Sequence, residues 1–141
     1  MYYLRTEQSF DAAHFLKDYN GKCHNLHGHR WRVVVEIKAD SLRADVQCRG
    51  MVVDFSDLKK SLKDLCDFYD HTFIYEEGSL KEETVQCLLS EDFCLRVVPF
   101  RPTAENFSRH IYESLQKEGY DVHCVDVYET PNNCASFGGS R

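Results

Sequence analysis

The chain has 141 residues, a formal net charge of −6 and 43% hydrophobic residues. Length and apolar fraction suit one domain spanning residues 1–141 with a core of its own. The acidic balance argues against a general nucleic-acid binder, and no apolar run is long enough to span a membrane. Seven cysteines, an odd count with no Cys-x-x-Cys pair, and a start that lacks a signal-like apolar run suggest free thiols in a reducing cytoplasm.

Residues 5–14 read as a strand whose Phe10, Ala12 and His14 share one face. Residues 15–26 form a loop with turn chemistry at Asn20-Gly21. Residues 27–38 read as a long strand. Its odd positions, His27, His29, Trp31, Val33, Val35 and Ile37, make an apolar face headed by two histidines, while its even positions are largely charged. Residues 50–55 suggest a third, shorter strand. Asp54 or Ser56 then caps a helix on which Leu58, Leu62, Leu65 and Tyr69 recur at helical spacing, with Asp70-His71 at its end. Residues 76–101 hold a polar stretch, room for a short helix, and the apolar run Val97-Val98-Pro99-Phe100. Thr103 caps a second clear helix with Phe107, Ile111 and Leu115 as its buried stripe and Gly119 as its stop. Val122–Thr130 is another strand, with Val125, Val127 and Glu129 on one face, and residues 134–138 add a last one. This order predicts an α+β fold, an antiparallel sheet with two helices on its apolar face.

The chemistry concentrates in Cys23-His24-Asn25-Leu26-His27-Gly28-His29. His27 and His29, two apart on a strand, project to one side, and His14 ends the neighbouring strand. Gly28 between them leaves room for another backbone. Three imidazoles leave the fourth tetrahedral position open, the mark of a catalytic zinc. Two unpartnered imidazoles on an apolar face would otherwise be costly. His24, in the loop, reads as a solvated or supporting residue. Cys23 is either a fourth ligand in a closed site or a reactive thiol beside Lys22 and a dication. Lys17, Lys22, Arg30 and Arg32 form either a solvated rim or an anion site. Asp70-His71 is a helix end or, if the fold brings it near Cys23, a proton relay. Glu129 is either a salt-bridge partner or an anchor for a ring with adjacent N–H donors. Glu105, in a helix's first turn, has a plain dipole explanation.

Taken together, Phe10-Asp11-Ala12-Ala13-His14, Cys23-x-x-x-His27-Gly28-His29, Asp54-Phe55-x-x-Leu58-Lys59, Asp70-His71, Pro102-Thr103-x-Glu105-Asn106 and Tyr128-Glu129-Thr130 resemble the 6-pyruvoyl-tetrahydropterin synthase / 6-carboxytetrahydropterin synthase family. The match runs in order along nearly the whole chain. The resemblance implies the tunnelling fold, an antiparallel four-stranded sheet with two helices on one face, with subunits assembling into barrels, usually a hexamer of two trimers, and active sites between subunits. The charged face of the strand over residues 27–38 would line the tunnel. The resemblance also implies Zn2+ held by His14, His27 and His29, Cys23 as catalytic base, and Asp70 and His71 as its relay pair. Glu129 takes the place of the pterin anchor, with Thr103 and Glu105 as supporting contacts.

Within the family, three residues separate Cys23 from His27, as in the 6-carboxytetrahydropterin branch of queuosine biosynthesis. The activity so implied is a zinc-dependent lyase. It converts 7,8-dihydroneopterin triphosphate to 6-carboxy-5,6,7,8-tetrahydropterin with release of acetaldehyde and triphosphate. A pyruvoyl synthase and a non-catalytic pterin-binding module are the alternatives. A cupin-like reading of His-x-His fails, because the next glutamate is Glu36 and two helices fit a jelly roll poorly.

Overall fold

The computed structural model describes residues 1–140. Its centre is a pair of long antiparallel strands, β1 (Tyr2–His14) and β2 (His27–Ala39). They stay in register from Tyr2 opposite Ala39 to His14 opposite His27. β5 (Val122–Thr130) pairs antiparallel with β2, and β6 (Asn133–Gly138) antiparallel with β5. On the other side of β1 lie β3 (Thr72–Glu76) and β4 (Leu95–Val98), each parallel to its neighbour.

The sheet therefore has six strands in the order β4-β3-β1-β2-β5-β6 and is mixed, not the expected four-stranded antiparallel one. The added strands span only five and four residues, too short for their alternation to stand out. They run parallel because a third helix, α2 (Glu82–Ser90), bridges them, and parallel strands need such a crossover. α2 buries no residue of its own and lies outside the core. The strand expected at residues 50–55 is absent. Gly50 takes a φ of 83°, and hydrogen bonds between Arg43 and both Gly50 and Met51 close a loop there. That loop drops Val52 into the core.

α1 (Phe55–Tyr69) starts where Asp54 accepts the Ser56 N–H at 2.7 Å. It buries Leu58, Leu62, Cys66 and Tyr69, and Leu65 is only half-buried beside that stripe. α3 (Ala104–Lys117) starts where the Thr103 hydroxyl accepts the Asn106 N–H at 3.3 Å, and it buries Phe107, Ile111 and Leu115. Gly119, with a φ of 100°, closes its C-terminal end as a left-handed residue. Both helices cover the face carrying Phe10, Trp31, Val33, Val35, Val125 and Val127. Phe107 is the hub of this core. Its ring lies 5.3 Å from both Trp31 and Tyr69 and 5.4 Å from Phe100.

The opposite face of the sheet is polar and internally paired. Arg5 meets Glu36 at 2.7 Å, Arg32 meets Glu7 at 2.8 Å and Arg30 meets Asp11 at 3.1 Å. Such half-exposed pairs contribute little stability and mainly leave the face uncharged. Fold stability thus rests on the helix-covered side. Phe107→Ala should lower the unfolding free energy by about 3–5 kcal/mol, read from urea denaturation. A loss well under 1 kcal/mol would mean that Phe107 is not the hub.

Candidate active site

The end of the β1–β2 ladder builds the site. Register places His14 directly opposite His27, with His29 two residues along the same face of β2. One ring nitrogen from each of these histidines lies within 4.8 Å of the others. Trp31 forms the floor, its ring 4.9 Å from His14 and 5.7 Å from His29.

Two backbone carbonyls set the tautomers. His14 Nδ1 donates to Pro102 O at 2.7 Å, and His27 Nδ1 donates to Asn25 O at 2.6 Å. A carbonyl only accepts, so each neutral ring keeps its proton on Nδ1 and turns a bare Nε2 lone pair inward. The Nε2 atoms of His14, His27 and His29 are buried and find no hydrogen-bond partner in the protein. Burial pushes His14 down to about 4, and burial likewise lowers His29. At neutral pH the Glu129 carboxylate, 3.3 Å from His14 Nε2 and 3.6 Å from His29 Nε2, therefore faces acceptors rather than ion-pair partners. Acceptors crowded on acceptors fit a cation between them. Three converging imidazoles suit a first-row divalent ion such as zinc.

Cys23 sits in a single 3-10 turn (Lys22–His24) and is half-buried. It lies outside the tight histidine cluster and lines a cavity of 380 Å³ with Thr103, Glu105 and Glu129. Four of the expected site residues thus share one chamber. Glu129 belongs both to this chamber and to the histidine cluster. His24 is exposed, as expected. Gly28 is not required by a close backbone. A Cβ there would meet Ala12 O at an ordinary 3.6 Å, and the open space beside it belongs to neighbouring cavities.

Asp70 and His71 form a tight pair elsewhere. His71 Nδ1 meets Asp70 Oδ2 at 2.8 Å. Asp11 of β1 holds both: its N–H donates to Asp70 Oδ1 at 2.9 Å, and its carbonyl accepts the His71 N–H at 2.6 Å. His71 adopts a left-handed φ of 57°, uncommon without glycine. The Asp11 N–H and then the His71 hydrogen bond hold Asp70 below the usual carboxylate range, and Asp70 in turn raises His71. The His71 side chain is 79% exposed and faces a cavity lined by Gly28, His29 and Arg30 rather than the Cys23 chamber. One chain does not bring His71 and Cys23 together.

The sequence profile described as 6-pyruvoyl tetrahydropterin synthase matches residues 3–140. The chain belongs to this family. A 6-carboxy-5,6,7,8-tetrahydropterin synthase from Haemophilus influenzae is 38% identical, covering 97% of this chain and 99% of that protein. The protein of the same name from Synechocystis is 32% identical over 100% of this chain and 96% of its own. Among solved structures, an uncharacterized protein from Wolinella succinogenes superposes with a TM-score of 0.79, at 23% identity over 99% of this chain and 98% of that one. The Plasmodium falciparum 6-pyruvoyl tetrahydropterin synthase superposes with a TM-score of 0.69, at 24% identity over 96% of both chains. The architecture is the family's tunnelling fold.

The family motifs led to the histidines and the thiol, but not to what orients them. Pro102 and Asn25 act through carbonyls, which any residue could supply, so no residue type announces them. Asp11 likewise works through its backbone. Arg30 and Arg32 do not make a free basic rim, because Asp11 and Glu7 pair with them.

The fold favours neutral His14, so stability is full above the ordinary value of 6.5 and falls as pH drops from there toward about 4. Lowered His110, buried against Tyr69, adds to the fall with the same sign. For chelator-treated protein, His14 alone should contribute on the order of 3 kcal/mol of loss over that window. The comparison is urea denaturation with His14→Gln, in which the fall should shrink. An unchanged fall would mean that His14 is not held neutral.

Proposed function

We propose that the chain is a 6-carboxytetrahydropterin synthase, a zinc-dependent carbon–carbon lyase. The observation that carries this reading is the convergence of three bare imidazole Nε2 atoms beside a chamber lined by Cys23 and Glu129. The names of the Haemophilus influenzae and Synechocystis relatives supply the reaction. The substrate is 7,8-dihydroneopterin triphosphate. The products are 6-carboxy-5,6,7,8-tetrahydropterin, acetaldehyde and triphosphate, in the branch that leads to queuosine.

His14, His27 and His29 hold the ion. Bound zinc supplies Lewis acidity toward the side-chain oxygens of the substrate. Glu129 accepts two adjacent N–H groups of the pterin ring, and Thr103 and Glu105 support it at the N-terminus of α3. A ring so fixed presents its side chain to Cys23, lowering the entropic cost of reaction. The Cys23 thiolate removes a side-chain proton. His71, held protonated by Asp70, supplies the opposing proton. Because Cys23 and His71 of one chain line separate cavities, the relay pair is furnished across a subunit boundary. The assembly is a homohexamer of two trimers, with the polar sheet face lining the tunnel. Among the described residues no helix is long and apolar enough to cross a membrane. The odd cysteine count without a Cys-x-x-Cys pair favours a reducing cytoplasm.

Product mass spectrometry, with an acetaldehyde assay in parallel, tests the reaction. Zinc-loaded protein should yield the carboxylated tetrahydropterin and acetaldehyde, and Cys23→Ala should keep its zinc and lose turnover. A pyruvoyl product without acetaldehyde would move the protein to the pyruvoyl synthase activity. Substrate binding without turnover would leave a pterin-binding module. Full activity in Cys23→Ala would remove the base from this scheme.

The relay has its own signature. An acid that must be protonated loses activity as pH rises through its pKa. Asp70→Asn removes the charge that raises His71, so the basic limb of the kcat profile should move to lower pH. A limb that stays in place, with activity retained, would sink the role of the pair.

A further inference from the structure

We infer that Arg101 receives the phosphate chain of the substrate. This rests on the pterin triphosphate reading above and adds the residue that distinguishes the triphosphate from the bare pterin. Arg101 lines the Cys23 chamber together with Glu105 and Glu129. It is the single cation among the described residues of that wall. The arginines of the adjoining cavity, Arg30 and Arg32, are already engaged by Asp11 and Glu7. Among the described residues Arg101 has no carboxylate partner within ion-pair distance. Its guanidinium donates once, from Nη2 to the Lys17 carbonyl at 2.8 Å, and lies 5.6 Å from the centre of the Tyr19 ring. The remaining N–H donors are left for a ligand, and a planar guanidinium matches phosphate oxygens two at a time.

The chamber is lined by both signs of charge. Glu105 and Glu129 suit the N–H donors of a ring, and Arg101 suits an anion. One molecule with a donor-rich ring and an anionic tail satisfies both.

Arg101 is also preorganised. Its carbonyl accepts the Thr103 N–H at 2.8 Å and the Asn106 side-chain amide at 2.9 Å. The next residue, Pro102, offers the carbonyl that orients His14. One short segment therefore fixes the cation relative to the metal cluster and the cap of α3. That fixed relation sets where a phosphate chain lies relative to the atoms that react.

The test is calorimetric titration of zinc-loaded Cys23→Ala protein, which blocks turnover, with 7,8-dihydroneopterin and with its triphosphate. The parent should prefer the triphosphate. Adding Arg101→Met should weaken the triphosphate roughly 10- to 100-fold and leave the dephosphorylated pterin unchanged. Arg101→Lys, which keeps the charge without the fork, should fall between. The unchanged pterin affinity, together with zinc content, reports that the variant is folded. A preference for the triphosphate that survives Arg101→Met, or that is lost in Arg32→Met instead, overturns the assignment and leaves the pterin reading standing. Loss of both ligands alike would show that Arg101 only shapes the chamber, and overturns it too. A parent that binds neither compound would overturn the pterin reading itself.

Discussion

The structure depends on the register between β1 and β2. The strands pair without interruption from Tyr2 opposite Ala39 to His14 opposite His27, so every side chain on that ladder is assigned a face. A slip of one residue would turn Phe10, Trp31, Val33 and Val35 out of the core and swing the histidines to the other side of the sheet. Core packing against α1 and α3 and placement of the histidine cluster are thus one constraint. The apolar stripe holds the register, and the register delivers the imidazoles.

Burial then does chemical work. A histidine in water is a poor ligand whenever it is protonated. The His14 side chain has no exposed surface, and burial keeps its ring neutral. The Pro102 and Asn25 carbonyls choose which nitrogen carries the proton. The result is a set of lone pairs aimed at one point before any ion arrives, so binding need not first order the ligands. Acceptors face acceptors there, and Glu129 adds a further one. A cation would resolve that conflict and so couple its binding to folding.

Around this centre the fold distributes charge by position. Carboxylates and Arg101 share the Cys23 chamber, while on the opposite face of the sheet Arg5, Arg30 and Arg32 are neutralised by their neighbours. A protein of net charge −6 thereby keeps one cation in this chamber with no carboxylate partner among the described residues. The Asp70–His71 pair is held just as firmly, by two backbone bonds from Asp11, yet its exposed imidazole lines a different cavity from the Cys23 chamber of its own chain. A rigid, outward-facing acid–base pair suits service to a neighbouring subunit.

Much of this was legible in the chain alone. Strong alternation marked β1, β2 and β5, apolar spacing and caps at Asp54 and Thr103 marked α1 and α3, and the strand period put His14, His27 and His29 on one face. Those signals are local, and each is repeated over several residues. β3 and β4 escaped because they are short and their parallel pairing depends on contacts far apart in sequence, and α2, which buries nothing, showed only as room for a short helix. Residues 50–55 misled for the converse reason: an apolar run can fill a core from a loop. The sequence by itself determined which residues could bind a metal and which elements would carry them. Only the tertiary structure decided which nitrogen of each ring faces inward, that Cys23 stands beside the histidine cluster and not in it, that Arg101 lines the chamber with no carboxylate partner among the described residues, and that His71 lines a different cavity. Those outcomes depend on backbone carbonyls and on elements converging from distant parts of the chain, and neither leaves a mark in residue type or spacing.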